Sequence, residues 1–206
     1  MENLLEDDSE NLLRMSPDEY WVGDFMHRKE NHAIVRVPDE FLEDRFNIIG
    51  LDRYIKNLEE TYNSILDKGP RRNLKEESSL YYLIHQRYIF TKSGLEAILD
   101  KVMSREYGVC PRVGCKSSVG MVPVGLSDGP SKSSTKIYCH NCVNVYEPKG
   151  NLQLLDGCAW GRSFPHFLIL AHSYHFPSRM YEEYVPRIYG FRICSHDDND
   201  SFSEDN

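Results

Sequence analysis

Two short stretches, Cys110-Pro-Arg-Val-Gly-Cys115 and Cys139-His-Asn-Cys142, decide the fold of this 206-residue chain. Each holds two thiols close enough for one tight turn, and 23 residues separate the pairs. Two such turns meeting at one point make a four-thiolate tetrahedron, the donor set of structural zinc, with metal–sulfur bonds of about 2.3 Å. Four thiolates close the shell and leave no position for an activated water, so the expected role is structural, with one Zn2+ per chain. The metal ligands are therefore Cys110, Cys115, Cys139 and Cys142, with His140 an exposed spacer inside the second turn. Cys158 and Cys194 have no close partner and read as ordinary thiols.

Outward from the cysteines the chain alternates apolar residues with Gly and Pro. Strands are expected over Val119–Gly125, Lys136–Cys139 and Val143–Tyr146, as in a zinc ribbon whose hairpins carry the cysteine turns. Ser127–Ser134 is a loop rich in turn residues. Upstream the period changes to that of helices. Leu51, Tyr54, Ile55, Leu58, Tyr62, Ile65 and Leu66 fall on one stripe of a four-turn helix that Gly69-Pro70 ends. A second stripe carries Leu80, Leu83, Ile84 and Tyr88. Thr91 then caps a third helix bearing Leu95, Ile98, Leu99, Val102 and Met103. A shorter helix is expected over Pro38–Phe46. The fold class is α+β, with a mainly α-helical N-terminal region packed on a four-cysteine zinc-ribbon β subdomain.

The net charge of −8 is unevenly placed. Residues 1–10 and 195–206 each carry five acids and no Lys or Arg, which leaves a body of +2. Phosphate and anionic-membrane binding both need clustered positive charge, so neither a direct nucleic-acid partner nor a membrane is expected. Even the ribbon segment 105–150, at +3, spreads its bases and lacks interleaved stacking aromatics. The longest apolar run, Phe167–Ala171, is far short of the roughly 20 residues of a membrane span. The start has no basic and apolar leader, so an intracellular chain is expected. The divisions are an acidic tail over 1–15, helices over 16–104, the ribbon over 105–162, a C-terminal segment over 163–194 and a second acidic tail over 195–206.

No catalytic constellation is legible: the sequence has no phosphate-cradling Gly-rich loop, zincin helix or serine-hydrolase elbow. His85 and His166 sit among apolar residues and read as hydrogen-bonded structural histidines. At this level the chain fits a protein-assembly module or, as the alternative, a zinc-ribbon transcription or nucleic-acid adaptor.

Nine blocks then carry a resemblance. They include Glu43–Leu51, Leu80–Ile89, Tyr107–Cys115, Pro123–Asp128, Lys136–Cys142, Val145–Lys149, Asp156–Gly161, Phe164–His166 and Val185–Phe191. In this order and spacing the chain closely resembles the casein kinase II regulatory (beta) subunit family over about residues 20–193. The resemblance implies a non-catalytic subunit, in cytoplasm and nucleus, that pairs with itself and docks two catalytic subunits into a heterotetramer, modulating activity toward protein substrates. The family's dimer surface falls on Pro111, Val113, Val145 and Tyr146. An apolar side chain between two metal ligands has to find a protein surface, which agrees with this role; the alternative is packing within its own ribbon. The kinase contact falls on a C-terminal docking hairpin with Tyr189 and Phe191, where Gly190 permits a positive φ at the tip. The alternative is that both rings point inward.

Two departures from the family pattern stand out. Where relatives carry an acidic loop that binds polyamines and basic regulators, this chain has Lys68-Gly-Pro-Arg-Arg-Asn-Leu-Lys75, with four bases and no acid. The family's N-terminal serine-plus-acid phosphorylation site is absent, since Ser9 is followed at the third position by Leu12. Ser195 and Ser201, with Asp198 and Glu204 three residues on, are candidate phosphorylation sites in the tail.

Overall fold

The computed structural model describes residues 20–177 and 185–193. The two terminal tails, with Ser195, Ser201 and Cys194, lie outside them. Among the described residues six α-helices run in order as α1 (Trp21–Met26), α2 (Asp39–Glu43), α3 (Leu58–Ile65), α4 (Leu74–Tyr88), α5 (Lys92–Met103) and α6 (Phe164–Ala171). Between α5 and α6 lie β1 (Val122–Val124), β2 (Lys136–Cys139) and β3 (Asn144–Tyr146). They form an antiparallel meander with Val122 opposite Tyr138 and Tyr138 opposite Val145. A separate hairpin, β4 (Arg187–Ile188) and β5 (Phe191–Arg192), ends the described chain.

α4 is the axis of the helical layer. Asn73 caps it by accepting from the Lys75 N–H, Glu76 and Glu77 occupy its first turn and Arg87 its last, so both ends match the helix dipole. Leu80, Tyr81, Leu83 and Ile84 are all fully buried, because α3 packs on one side of α4 and the turn at Gly157–Ala159 on the other. Thr91 caps α5 as expected, accepting from Gly94 N at 3.2 Å. A Cβ at Gly94 would lie 2.3 Å from the Tyr88 carbonyl, so only glycine lets α5 leave α4 this closely. One core cluster runs from Trp21 and Phe25 through α4 and α5 to Cys139, Cys142 and Trp160. The ribbon is thus packed onto the helices.

Two expected helices are shorter than their patterns. The stripe from Leu51 does not form one four-turn helix: α3 starts at Leu58, after Asn57 leaves helical geometry at ψ 56°. Leu51 and Ile55 are nonetheless buried, presented by a turn in which both Tyr54 and Ile55 donate to the Leu51 carbonyl. Successive turns meet a three-to-four residue spacing as well as a continuous helix does. Over 38–46, α2 stops at Asp44, whose extended backbone frees its carboxylate to accept from Phe46 N at 2.9 Å and start a 3-10 turn. Nor did periodicity single out α1 and α6. α1 is under two turns long, and α6 is apolar apart from His166, so neither has an amphipathic stripe to read.

The basic loop lies folded against acids of the body. Lys68 pairs with Glu43, Arg71 with Asp24 at 3.0 Å and Arg72 with Glu60, tying the loop to three different helices. These pairs are half-exposed, so each contributes at most about 1 kcal/mol.

Candidate metal centre

The four ribbon cysteines converge. Their sulfurs all lie within 4.8 Å of one another, with Cys110 Sγ 3.6 Å from Cys142 Sγ and Cys115 Sγ 3.7 Å from Cys139 Sγ. A disulfide requires about 2.05 Å, and all four are free thiols. A tetrahedron with metal–sulfur bonds of about 2.3 Å has edges of about 3.8 Å, so the two short separations suit a single tetrahedral ion.

Local backbone geometry aims the sulfurs. In the first turn Cys115 N donates to Arg112 O and Gly114 takes φ 85°. In the second, Val143 N donates to Cys139 O at 2.9 Å and Val143 takes φ 58°, an unusual left-handed conformation for a β-branched residue. Two polar groups then reach the sulfurs: Asn141 Nδ2 donates to Cys115 Sγ at 3.3 Å, and the Tyr146 hydroxyl lies 3.2 Å from Cys142 Sγ. Burial works against ionising Cys142, but hydrogen bonds led by Tyr146 outweigh it and hold its pKa at about 7. Burial pushes the Cys139 and Cys110 thiols up. A metal ion binding here would displace protons from the Cys139 and Cys110 thiols.

The remaining expected residues fall in three places. Pro111 and Val113 lie on the first cysteine turn, exposed, with Val113 at 86%. Val145 is 48% exposed on the edge strand, whereas Tyr146, one residue on and facing the opposite way, is half-buried with its hydroxyl on Cys142. At the hairpin tip Tyr189 is 97% and Phe191 78% exposed, so neither ring points inward. His140 is not the exposed spacer expected from its place between cysteines. Phe176, beyond α6, folds back over the turn and meets the His140 ring edge-on at 5.3 Å, burying it. His166 is exposed, its ring 5.4 Å from that of Tyr138.

The roles of Asn141 and Tyr146 toward sulfur escaped sequence reasoning. Their one signal was position, within four residues of a ligand. Among the described residues no helix is long and apolar enough to cross a membrane.

Fold and site together define an α+β protein with a helical layer on a ribbon whose four clustered cysteines could hold a metal ion. A sequence model described as casein kinase II regulatory subunit matches residues 20–192. The chain belongs to the casein kinase II regulatory subunit family. Relatives include a Suppressor-of-stellate-like protein of Drosophila melanogaster, 39% identical, the match covering 86% of this chain and 80% of the relative. Casein kinase II subunit beta' of the same organism is 36% identical, over 86% and 85%. Casein kinase II subunit beta of Schizosaccharomyces pombe is 36% identical, over 86% and 80%.

Proposed function

We propose that this chain is the non-catalytic assembly and regulatory subunit of a casein kinase II-like Ser/Thr kinase. Cys110, Cys115, Cys139 and Cys142 hold one structural Zn2+, which fixes both cysteine turns and so shapes the ribbon face bearing Pro111, Val113 and Val145. That face pairs two copies about a two-fold axis. Each copy then docks a catalytic kinase subunit through Tyr189 and Phe191, giving a heterotetramer that acts in cytoplasm and nucleus and tunes activity toward protein substrates and regulators. Ser195 and Ser201 are its acid-directed phosphorylation sites.

The observation that carries this reading is the hairpin tip. Tyr189 on a two-residue turn and Phe191 on the strand that follows it stand largely in solvent, in a family whose name joins it to a kinase. Exposed rings at that density are interaction anchors, since compact aromatic hot spots supply most of an interface's energy. Tyr189 and Gly190 both have positive φ, the two-residue type I′ geometry that favours Asn-Gly. Tyr189→Asn therefore keeps the turn and removes the ring. In calorimetry against the catalytic subunit it should weaken binding at least tenfold; unchanged affinity refutes the docking assignment.

A further inference from the structure

A thiolate that holds a metal still accepts hydrogen bonds, and the ribbon supplies donors to its four cysteines in two ways. The first cysteine of each turn is served by main chain: the Arg112 N–H meets Cys110, and the Asn141 and Cys142 N–H groups meet Cys139. The second cysteine of each turn is served by a side chain, Cys115 by Asn141 Nδ2 at 3.3 Å and Cys142 by the Tyr146 hydroxyl at 3.2 Å. A peptide N–H survives any substitution except proline, so it is at Cys115 and Cys142 that the identity of a residue decides the donor.

Exposure separates these two sulfurs. Cys142 is 3% exposed, whereas Cys115 is half-buried, so a solute reaches Cys115 first. Its donor comes from the other turn: Asn141 is itself buried, lies between Cys139 and Cys142, and sends its amide across to Cys115. Because a thiolate is an acceptor only, the amide nitrogen and not the oxygen faces the sulfur. Four thiolates around one divalent ion leave an excess of negative charge on sulfur, and an amide hydrogen bond withdraws part of it. A less electron-rich sulfur is a weaker nucleophile.

We propose that Asn141 is a positioning residue of the metal centre that keeps the solvent-accessible Cys115 sulfur unreactive toward electrophiles, and so protects the metal from being stripped at that corner. The inference rests on the four-cysteine Zn2+ reading and assigns within it a residue that is not a ligand.

Iodoacetamide is the probe. The sulfur attacks its CH2 carbon, a C–S bond forms as the C–I bond breaks, iodide leaves, and the resulting neutral thioether is a poor ligand. The full zinc-loaded chain is treated with it while released zinc is read with a chromogenic chelator and the alkylated cysteines are located by peptide mass spectrometry, Cys158 and Cys194 being scored apart. In Asn141→Ala zinc release should quicken about tenfold, with Cys115 the first of the four sulfurs modified. Asn141→Asp keeps the shape but puts an acceptor in the donor's place, and should quicken release at least as much. Tyr146→Phe takes the donor from a buried sulfur and should leave Cys115 at the wild-type rate. Wild-type release in Asn141→Ala overturns the proposal. So does a rise shared evenly by all four cysteines, since a loosened turn then explains it. A full chain that binds no zinc refutes the metal reading itself, which zinc analysis before alkylation shows separately.

Discussion

His85 on α4 hydrogen-bonds through Nδ1 to the Ala159 carbonyl at 2.8 Å, across the junction between the helical layer and the ribbon. Its Nε2 accepts from the Val35 N–H at 3.3 Å, so the ring is neutral with its proton on Nδ1. Its ring also stands edge-on to Trp160 at 5.3 Å. A single buried imidazole thus joins α4, the segment at Val35 and the turn after the ribbon.

This arrangement makes stability fall in mild acid. Burial, only partly offset by the bond to Ala159, lowers the His85 pKa from 6.5 to about 4. The unfolded chain therefore binds the proton first, and stability is lost as pH drops from about 6.5 toward 4, by up to about 1.4 kcal/mol per unit. Urea unfolding at pH 7, 6 and 5 should show this slope in the wild type and its loss in His85→Gln, which will itself be less stable at pH 7. Equal slopes would show that His85 does not titrate as described.

Glu77 supports the opposite end of α4. Buried beneath α1, it accepts from Trp21 Nε1 at 3.0 Å, Arg72 N at 2.8 Å and the Ser64 hydroxyl. Burial resists its ionisation, yet hydrogen bonds led by Ser64 win and hold the carboxyl below its usual range. Glu77→Leu strands three donors and should cost about 3 kcal/mol, with Glu77→Gln costing roughly half as much. Chemical denaturation reads both, and a cost under about 1 kcal/mol for Glu77→Leu would contradict the accounting.

Val143 follows Cys142 at φ 58°, a conformation that costs a β-branched residue about 1–2 kcal/mol. Glycine removes that strain at some cost in unfolded-state entropy. Val143→Gly should leave the isolated chain as stable or more so, by up to about 1 kcal/mol. Thermal melts of the metal-loaded protein decide it, a clear loss of stability being the contrary result.

Much of this was legible beforehand because spacing alone carries it. Two cysteine pairs at fixed intervals predict a common centre, and Leu80, Leu83, Ile84 and Tyr88 predict the buried face of α4; all four helix residues are buried. What stayed hidden depends on contacts distant in sequence. His140 is buried by Phe176, 36 residues later, and the helix expected from Leu51 is broken by the backbone of one residue, Asn57. The Tyr146 hydroxyl reaches Cys142 because β3 returns beside the cysteine turn, which no periodicity encodes.

Metal and pairing should fail together. Cys139→Ser with Cys142→Ser removes half of the thiolate set, so the chain should lose its zinc and sediment as a monomer. Structural zinc contributes on the order of 10 kcal/mol to local folding, so the ribbon face should lose its shape without it. A metal-free mutant that remains dimeric would separate the ribbon from the interface.

We propose that this chain assembles kinase subunits around a zinc-built dimer. Native mass spectrometry of the complex, formed by mixing the full chain with a casein kinase II catalytic subunit, tests it in one spectrum. The expected species contains two copies of this chain, two catalytic subunits and two zinc ions. A single copy binding the kinase, a dimer that binds none, or a complex without zinc would contradict it.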